Sequence, residues 1–273
     1  MKIRHLILLA LTALIVAPIV ACGTVQRVAV PAAEPLIPAG IMRLPAAGED
    51  KFVVLTIDDA PSSRTQEIVE LLARYDARAT FFVHTDQISE DTRLALLAAI
   101  EQGHELGSHL PADEPAWKMN KEEFSAAFAK AHTELLTFGD GARSYFRPPH
   151  GIYRPRNMDT SLTAYGYDRP LAALGSQRRY VLASFIPWDA GGDKTNTDDP
   201  DLNAKRARKY AGQLARNVYP GAIVVFHDGE AGGREARVAA TFVSLEAFLI
   251  AMDEKGYDVI SLSQGIDRVS RPE

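Results

Sequence analysis

The chain has 273 residues, 47% of them hydrophobic, which is enough for one large domain or two small ones. Its formal net charge of -5, without a long basic run, argues against a nucleic-acid partner. A single cysteine, Cys22, excludes an intramolecular disulfide framework.

Residues 1–21 carry Lys2, Arg4 and His5 and then an apolar run from Leu6 to Val20, broken by Pro18. This is the layout of a secretory signal, and no basic stop-transfer cluster follows it. Ile19-Val20-Ala21-Cys22 resembles the bacterial lipoprotein signal, in which the cysteine is lipidated and becomes the mature N-terminus. Cleavage elsewhere would leave Cys22 an ordinary small residue. The lipoprotein reading implies a membrane contact through the lipid. Gly23 stands where an aspartate commonly retains lipoproteins in the inner membrane, so the expected location is the outer membrane, facing the periplasm. Residues 23–49, rich in Ala, Pro and Val without a period, read as a flexible tether, with a domain over 50–265 and a tail over 266–273.

Phe52 to Ala60 is an apolar, β-branched run that ends in Asp58-Asp59 and is followed by Pro61, the pattern of a buried strand delivering two carboxylates to a loop. A bland reading, an Asp-Asp that starts a turn and caps the next helix, has equal claim on that fragment. Ser63 and Gln66 suit a capping box for a helix with Ile68, Leu71, Leu72 and Tyr75 on one face. Ala79–Val83 reads as a second strand, and a helix from about Asp91 presents Leu94, Leu97 and Ala98 before Gly103. A third strand covers His104 to His109. Asn120 with Glu123 caps a helix whose inner face holds Phe124, Phe128, Ala131 and Leu135.

Strands follow at Ser144–Arg147 and Arg179–Ile186, then a helix through Ala207, Tyr210, Ala211 and Leu214, a strand from Ala222, a helix with Val238, Phe242, Leu245 and Leu249, and a closing strand at Tyr257–Leu262. Short apolar strands alternating with amphipathic helices indicate an α/β domain with parallel strands. Asp58, Asp59, His109, Arg147, Asp189 and His227 all fall where strands end, and in parallel α/β barrels the site is built there.

Four segments in order resemble the motifs of the polysaccharide deacetylase family, also called the NodB-homology or carbohydrate esterase 4 fold. They are Thr56-Ile57-Asp58-Asp59-Ala60, Gly103-His104-Glu105-Leu106-Gly107-Ser108-His109, Phe146-Arg147-Pro148-Pro149-His150-Gly151 and Val225-Phe226-His227-Asp228. The resemblance implies a distorted (β/α) barrel and a hydrolase that removes acetyl groups from an N-acetylated glycan, peptidoglycan or chitin-like, with a metal-bound water as nucleophile. It implies Asp58 as general base, Arg147 as its partner, His227 as general acid and Asp189 as the partner of His227. Asp59 and His109 become metal ligands. The second histidine of the family's His-x-x-x-His pair falls on Asp113, which could still reach the cation if residues 109–113 form a helical turn. Such a donor set suits zinc, with cobalt or nickel also fitting. The backbone N–H of His150 would serve the oxyanion, and Trp188 and Pro149 the sugar. No protein partner is implied.

His104 stands about 16–17 Å from His109 at strand rise, too far to share an ion, and reads as structural. Two other readings stay open: an O-acetyl esterase acting on acetylated polysaccharide, and an envelope lipoprotein that binds glycan without turnover, which the change at Asp113 favours. Hydrolysis of a small cyclic amide on the same fold is a third.

Overall fold

The computed structural model describes residues 34–47, 50–186, 199–228 and 235–271, with Arg27, Val30 and Ala32 beside them. The expected signal over 1–21, Cys22, Trp188 and Asp189 lie outside the described residues. In chain order the strands are β1 (Gly40–Ile41), β2 (Phe52–Ala60), β3 (Thr80–Val83), β4 (Glu105–Ser108), β5 (Ala142–Phe146), β6 (Tyr180–Val181), β7 (Ala222–His227) and β8 (Asp258–Ile260). The helices are α1 (Thr65–Arg74), α2 (Glu90–Glu101), α3 (Lys121–Leu136), α4 (Pro155–Ala164), α5 (Pro200–Asn217), α6 (Glu235–Glu254) and α7 (Leu262–Ser270). Among the described residues no helix is long and apolar enough to cross a membrane.

The sheet runs β5-β4-β3-β2-β7, with every pairing parallel. All nine residues of β2 are buried, as expected of an apolar strand covered on both faces. One of its edges pairs with β7 over Val53–Asp58; the other is shared, β8 taking Phe52–Val54 and β3 taking Thr56–Ala60. Side-chain parity sorts the core. Val53, Leu55 and Ile57 pack outward with Ile68, Leu72, Leu245 and Phe248 of the helical layer, whereas Phe52 and Val54 pack inward with Ile41, Leu44, Val181 and Leu262. Asp58 shares the inward parity.

The expected distorted barrel is thus seen as an α/β fold whose described strands do not form a closed ring. The segment after β6 fills the gap between β7 and β5: Phe185 bridges Val224 on one side, and the Arg147 guanidinium donates to the carbonyls of Val181 and Leu182 on the other. Side-chain hydrogen bonds close here what a ladder closes elsewhere.

Several expectations are corrected. The latter part of the expected tether packs on the domain: β1 pairs with β6, Ile41 and Leu44 are buried, and the Leu44 N–H donates to the Gly221 carbonyl at 2.7 Å. The approach is so close that a Cβ at Gly221 would lie 2.2 Å from the Leu44 carbonyl oxygen. Apolar residues at Ile41, Met42 and Leu44 explain it, since a solvated tether would leave them in water. The expected tail is mostly α7, which continues to Ser270 and buries Ile266.

Helix α1 has no capping box from Ser63 and Gln66. Its first turn is held instead by Ser62 and Thr65. Helix α2 buries Leu96 and Ala99 and leaves Leu94 63% exposed, so its inner face is rotated from the one the sequence suggested. The capping box at Asn120 and the buried face of α3 are as expected. Residues 110–113 are not helical, and Leu110 takes a φ of 65°.

Candidate active site

The carboxyl ends of β2, β4, β5 and β7 surround one pocket of about 320 Å³, lined among others by Asp58, Asp59, His109, Asp113, Arg147, His150 and His227. A larger cleft between α2 and α3 contains none of these groups.

Strand parity alone would send Asp58 and Asp59 to opposite faces. The backbone of β2 departs from regularity at this point: its register against β3 shifts between Ile57 and Ala60, and Asp59 adopts φ 60°. A left-handed residue reverses the usual side-chain alternation, so both carboxylates address the same space. Asp228 secures the turn from the β7 side. Its N–H donates to the Asp58 carbonyl at 2.8 Å, and its carboxylate accepts from the Ser62 N–H, the Ser62 hydroxyl and the Thr65 hydroxyl. Burial pushes the Asp228 pKa up, against the pull of those hydrogen bonds.

Arg147, 4% exposed, reaches across from the end of β5. Nη1 donates to Asp58 Oδ1 at 2.5 Å and to Thr56 Oγ1 at 2.8 Å, Nη2 donates to the Leu182 carbonyl at 2.8 Å, and the guanidinium lies over the Phe82 ring. A buried cation tied by this many acceptors fixes the orientation of Asp58. Burial lowers the Arg147 pKa, and Asp58 counters that effect.

His109 Nδ1 lies 2.8 Å from the Arg147 carbonyl. That acceptor requires the proton on Nδ1, which leaves Nε2 facing the carboxylates, 3.5 Å from Asp59 Oδ1 and 3.9 Å from Asp58 Oδ2. Burial would lower the His109 pKa, but the two aspartates outweigh it and raise it. Burial pushes Asp59 up; the contacts with His109 and His84 and the field of His227 outweigh that and hold its carboxyl well below the usual carboxylate range.

His84, immediately after β3, is the residue sequence reasoning missed. Its ring is fully buried, tilted against His109 with 4.6 Å between centroids, and Nε2 sits 3.3 Å from Asp59 Oδ1. Neither ring nitrogen has a hydrogen-bond partner. Asp59, His84 and His109 bring one donor atom each within 4.8 Å of one another, the sole such group of three among the described residues. Two imidazoles and a carboxylate are a donor set for zinc, cobalt or nickel, and the unpartnered buried imidazole is the observation that a cation fits. The signal was legible: Phe81-Phe82-Val83-His84 ends an apolar strand in a polar group, as β2, β4 and β7 do.

Asp113 is not in that group. Because 110–113 are not helical, His109 and Asp113 do not share a face, and the Asp113 carboxylate, 43% exposed, instead lies 3.3 Å from His150 Nε2 at the pocket rim. His150 itself has φ 60°. Pro148, not Pro149, lines the pocket; Pro149 is buried behind it. His227, in register with Asp58 across the β2–β7 pair, stands on the wall away from His84 and His109. Leu182, Ala183 and Ile186 supply an apolar wall.

Residues 46–169 match the family model described as polysaccharide deacetylase. A peptidoglycan-N-acetylglucosamine deacetylase of Bacillus cereus is 24% identical over 239 residues, covering 84% of this chain and 94% of its own length. The deacetylase PgdA of Listeria monocytogenes is 23% identical over 225 residues, 82% of this chain. The chain spans only 41% of that relative's length. The solved structure of the Bc1960 peptidoglycan N-acetylglucosamine deacetylase, in complex with a hydroxamate-type benzamide, superposes with a TM-score of 0.66 at 18% identity, covering 85% of this chain and 94% of that one, and shows the fold.

Proposed function

The chain belongs to the polysaccharide deacetylase family, and from that premise we propose that it is a metal-dependent hydrolase removing N-acetyl groups from an envelope-accessible glycan, peptidoglycan or a chitin-like chain. One observation carries the reading: a carboxylate, Asp58, fixed by a buried guanidinium faces a cation-fitting cluster, with His227 on the opposite wall of the same pocket. A base, an electrophile site and an acid around one cavity are what amide hydrolysis needs.

A cation in the cluster, zinc first, would supply an acidified water and polarise the acetamide carbonyl. The remaining work belongs to the chain. Asp58 accepts the proton of the attacking water through the carboxylate oxygen that Arg147 does not hold. Donors on the rim, the His150 backbone N–H among them, stabilise the oxyanion. His227 delivers a proton to the departing sugar amine, and Asp189 supports it. Leu182, Ala183 and Ile186 shelter the acetyl methyl from water. Trp188, two residues beyond Ile186 in sequence, is the proposed sugar-stacking residue.

The N-terminal pattern ending in Cys22 supports an envelope lipoprotein, anchored in the outer membrane and facing the periplasm. The test is acetate release from chitooligosaccharides and from peptidoglycan by the full-length chain in mild detergent, before and after chelation and with zinc restored. Acetate released, lost on chelation and regained with zinc is the expected result. No acetate under zinc, cobalt or nickel would remove the deacetylase reading for these substrates.

A further inference from the structure

The family pattern places the second ligand histidine at the position Asp113 occupies, yet the structure gathers a different residue. We propose that the cation is held by Asp59, His84 and His109, one ligand from the end of each of three neighbouring strands, and that Asp113 takes no part in coordination but positions His150 at the pocket rim. The assignment rests on the metal-dependent reading of the site, though not on the identity of the acyl group removed.

Three observations carry it. First, the two carboxylate–imidazole distances match edges of a coordination polyhedron, and all three donor atoms lie within 4.8 Å of one another. Tetrahedral ligands with bonds of about 2.0–2.1 Å stand roughly 3.3–3.4 Å apart along an edge. Asp59 Oδ1 lies 3.3 Å from His84 Nε2 and 3.5 Å from His109 Nε2. Second, the His84 ring makes no hydrogen bond, and its polar neighbour is the Asp59 carboxylate of the same group, 3.3 Å from Nε2. An imidazole with no exposed surface and no hydrogen-bond partner is a destabilising choice after Phe81-Phe82-Val83, where an apolar residue would pack without penalty. A cation next to Asp59 would give it a partner.

Third, the supporting geometry is rigid for position 84 and absent for 113. The His84 N–H donates to the Ala60 carbonyl at 2.7 Å and the His109 N–H to the Val83 carbonyl at 3.0 Å, so both imidazoles stand on the β2–β3–β4 ladder. The His109 tautomer is set by the Arg147 carbonyl, as ligand imidazoles are commonly oriented by an acceptor on the far nitrogen. Asp113 has no such ladder; it follows Leu110 at φ 65°, points along an open rim and meets His150 Nε2 at 3.3 Å.

The second imidazole is therefore supplied from the end of β3, the strand beside β4, rather than from position 113. The exchange leaves a carboxylate beside His150. That side chain is held over the pocket mouth while the left-handed backbone beneath it keeps its conformation.

The experiment titrates cobalt(II) into the chelator-treated full-length chain in detergent, read by bound metal per chain and by the visible cobalt spectrum. Wild type is compared with His84→Ala, His84→Cys, Asp113→Asn and Asp113→Cys, each checked for native far-ultraviolet circular dichroism. His84→Ala is expected to weaken binding by more than the 10–100-fold that loss of a supporting group costs, and Asp113→Asn to leave it within about twofold. His84→Cys gives a positive signal even if His84→Ala folds poorly: a thiolate-to-cobalt charge-transfer band absent from wild type and from Asp113→Cys.

Loss of binding in Asp113→Asn, a charge-transfer band in Asp113→Cys, unchanged binding in His84→Ala, or no binding by wild type would each overturn the assignment. Acetate release on the same preparations separates the two readings. Cobalt bound through His84 without acetate release leaves the ligand assignment standing and removes the deacetylase. Acetate release that depends on a cation held through Asp113 does the reverse.

Discussion

The two ends of the sheet both bury ionisable side chains, and they do so differently. At the amino end, Glu105 accepts from the Thr80 hydroxyl at 2.6 Å and the Ser263 N–H at 3.0 Å, with Arg143 at 3.7 Å. His104 accepts from the Ala79 N–H through Nδ1 and packs edge-on against Phe81. At the carboxyl end, Asp58 is equally well held, but Asp59, His84 and His109 converge without completing one another. A single unpartnered nitrogen does not distinguish the ends, since His104 Nε2 lacks a partner as well. Convergence does. Three donor atoms from three strands meet at the carboxyl end, whereas His104 belongs to no such group among the described residues and its pKa is pushed down by burial and by Arg78 to about 4.

The largest effect that could break this contrast is catalytic. Asp58→Asn keeps an acceptor for Arg147 but removes the proposed base, and acetate release should fall by about 10²–10⁴-fold in kcat/KM with cobalt content unchanged. Near-normal turnover in this variant would make Asp58 a structural residue like Glu105. Next comes Arg147→Met, which leaves the Asp58 carboxylate buried without its cation; breaking one side of a buried pair costs about 3–5 kcal/mol, to be read by urea unfolding of the chelated protein. A loss under 1 kcal/mol would mean that solvent reaches Asp58 freely.

The fold was legible in the sequence where one pattern had one physical meaning. β2 is such a case: an unbroken apolar run with both faces covered, ending in acid. Helix α3 is another, with its Asn120–Glu123 box and Phe124, Phe128, Ala131 and Leu135 inside. Helix α2 is ambiguous in sequence because Ala and Leu fill half of its positions, and only packing selects Leu96 and Ala99 over Leu94 and Leu97. In the site, Asp58, Arg147 and His227, expected at strand ends, do line one pocket, because the carboxyl ends of parallel strands converge there. His84 carries no motif of its own, and the spacing from His109 to Asp113 puts both on one face only in a helical turn, which residues 110–113 do not form. The positive φ at Leu110 is not visible in the residues themselves.

The amino end offers the sharper pH test. The His104 pKa of about 4 lies below its ordinary 6.5, so the fold holds the neutral ring. Above pH 6.5 neither folded nor unfolded chain is protonated there, and the full contribution is present. As pH falls from 6.5 to 4 the unfolded chain takes up the proton first, and stability drops by roughly 3 kcal/mol before levelling below pH 4. His104→Gln should remove that part of the acid limb in urea midpoints measured from pH 7 to 4, while the carboxylate contributions remain. An unchanged limb would place the proton elsewhere.

The smallest effect separates the two serines before α1, and it asks whether the carboxyl end is supported by a helix cap or by a strand-to-strand tie. A Ser63–Gln66 box would make Ser63→Ala cost about 1 kcal/mol. The structure gives Ser63 no such bond and uses Ser62 instead, whose hydroxyl donates to Asp228 at 2.7 Å and accepts from the Arg64 N–H at 3.0 Å. Ser63→Ala should therefore change stability by less than about 0.5 kcal/mol, whereas Ser62→Ala should lose about 1–2 kcal/mol by leaving the buried Asp228 carboxylate short of a donor. Because Asp228 also holds the Asp58 carbonyl, Ser62→Ala should lower acetate release as well, and Ser63→Ala should not. Equal effects of the two substitutions would return the cap to the role the sequence suggested and leave the β2–β7 tie without influence on the site.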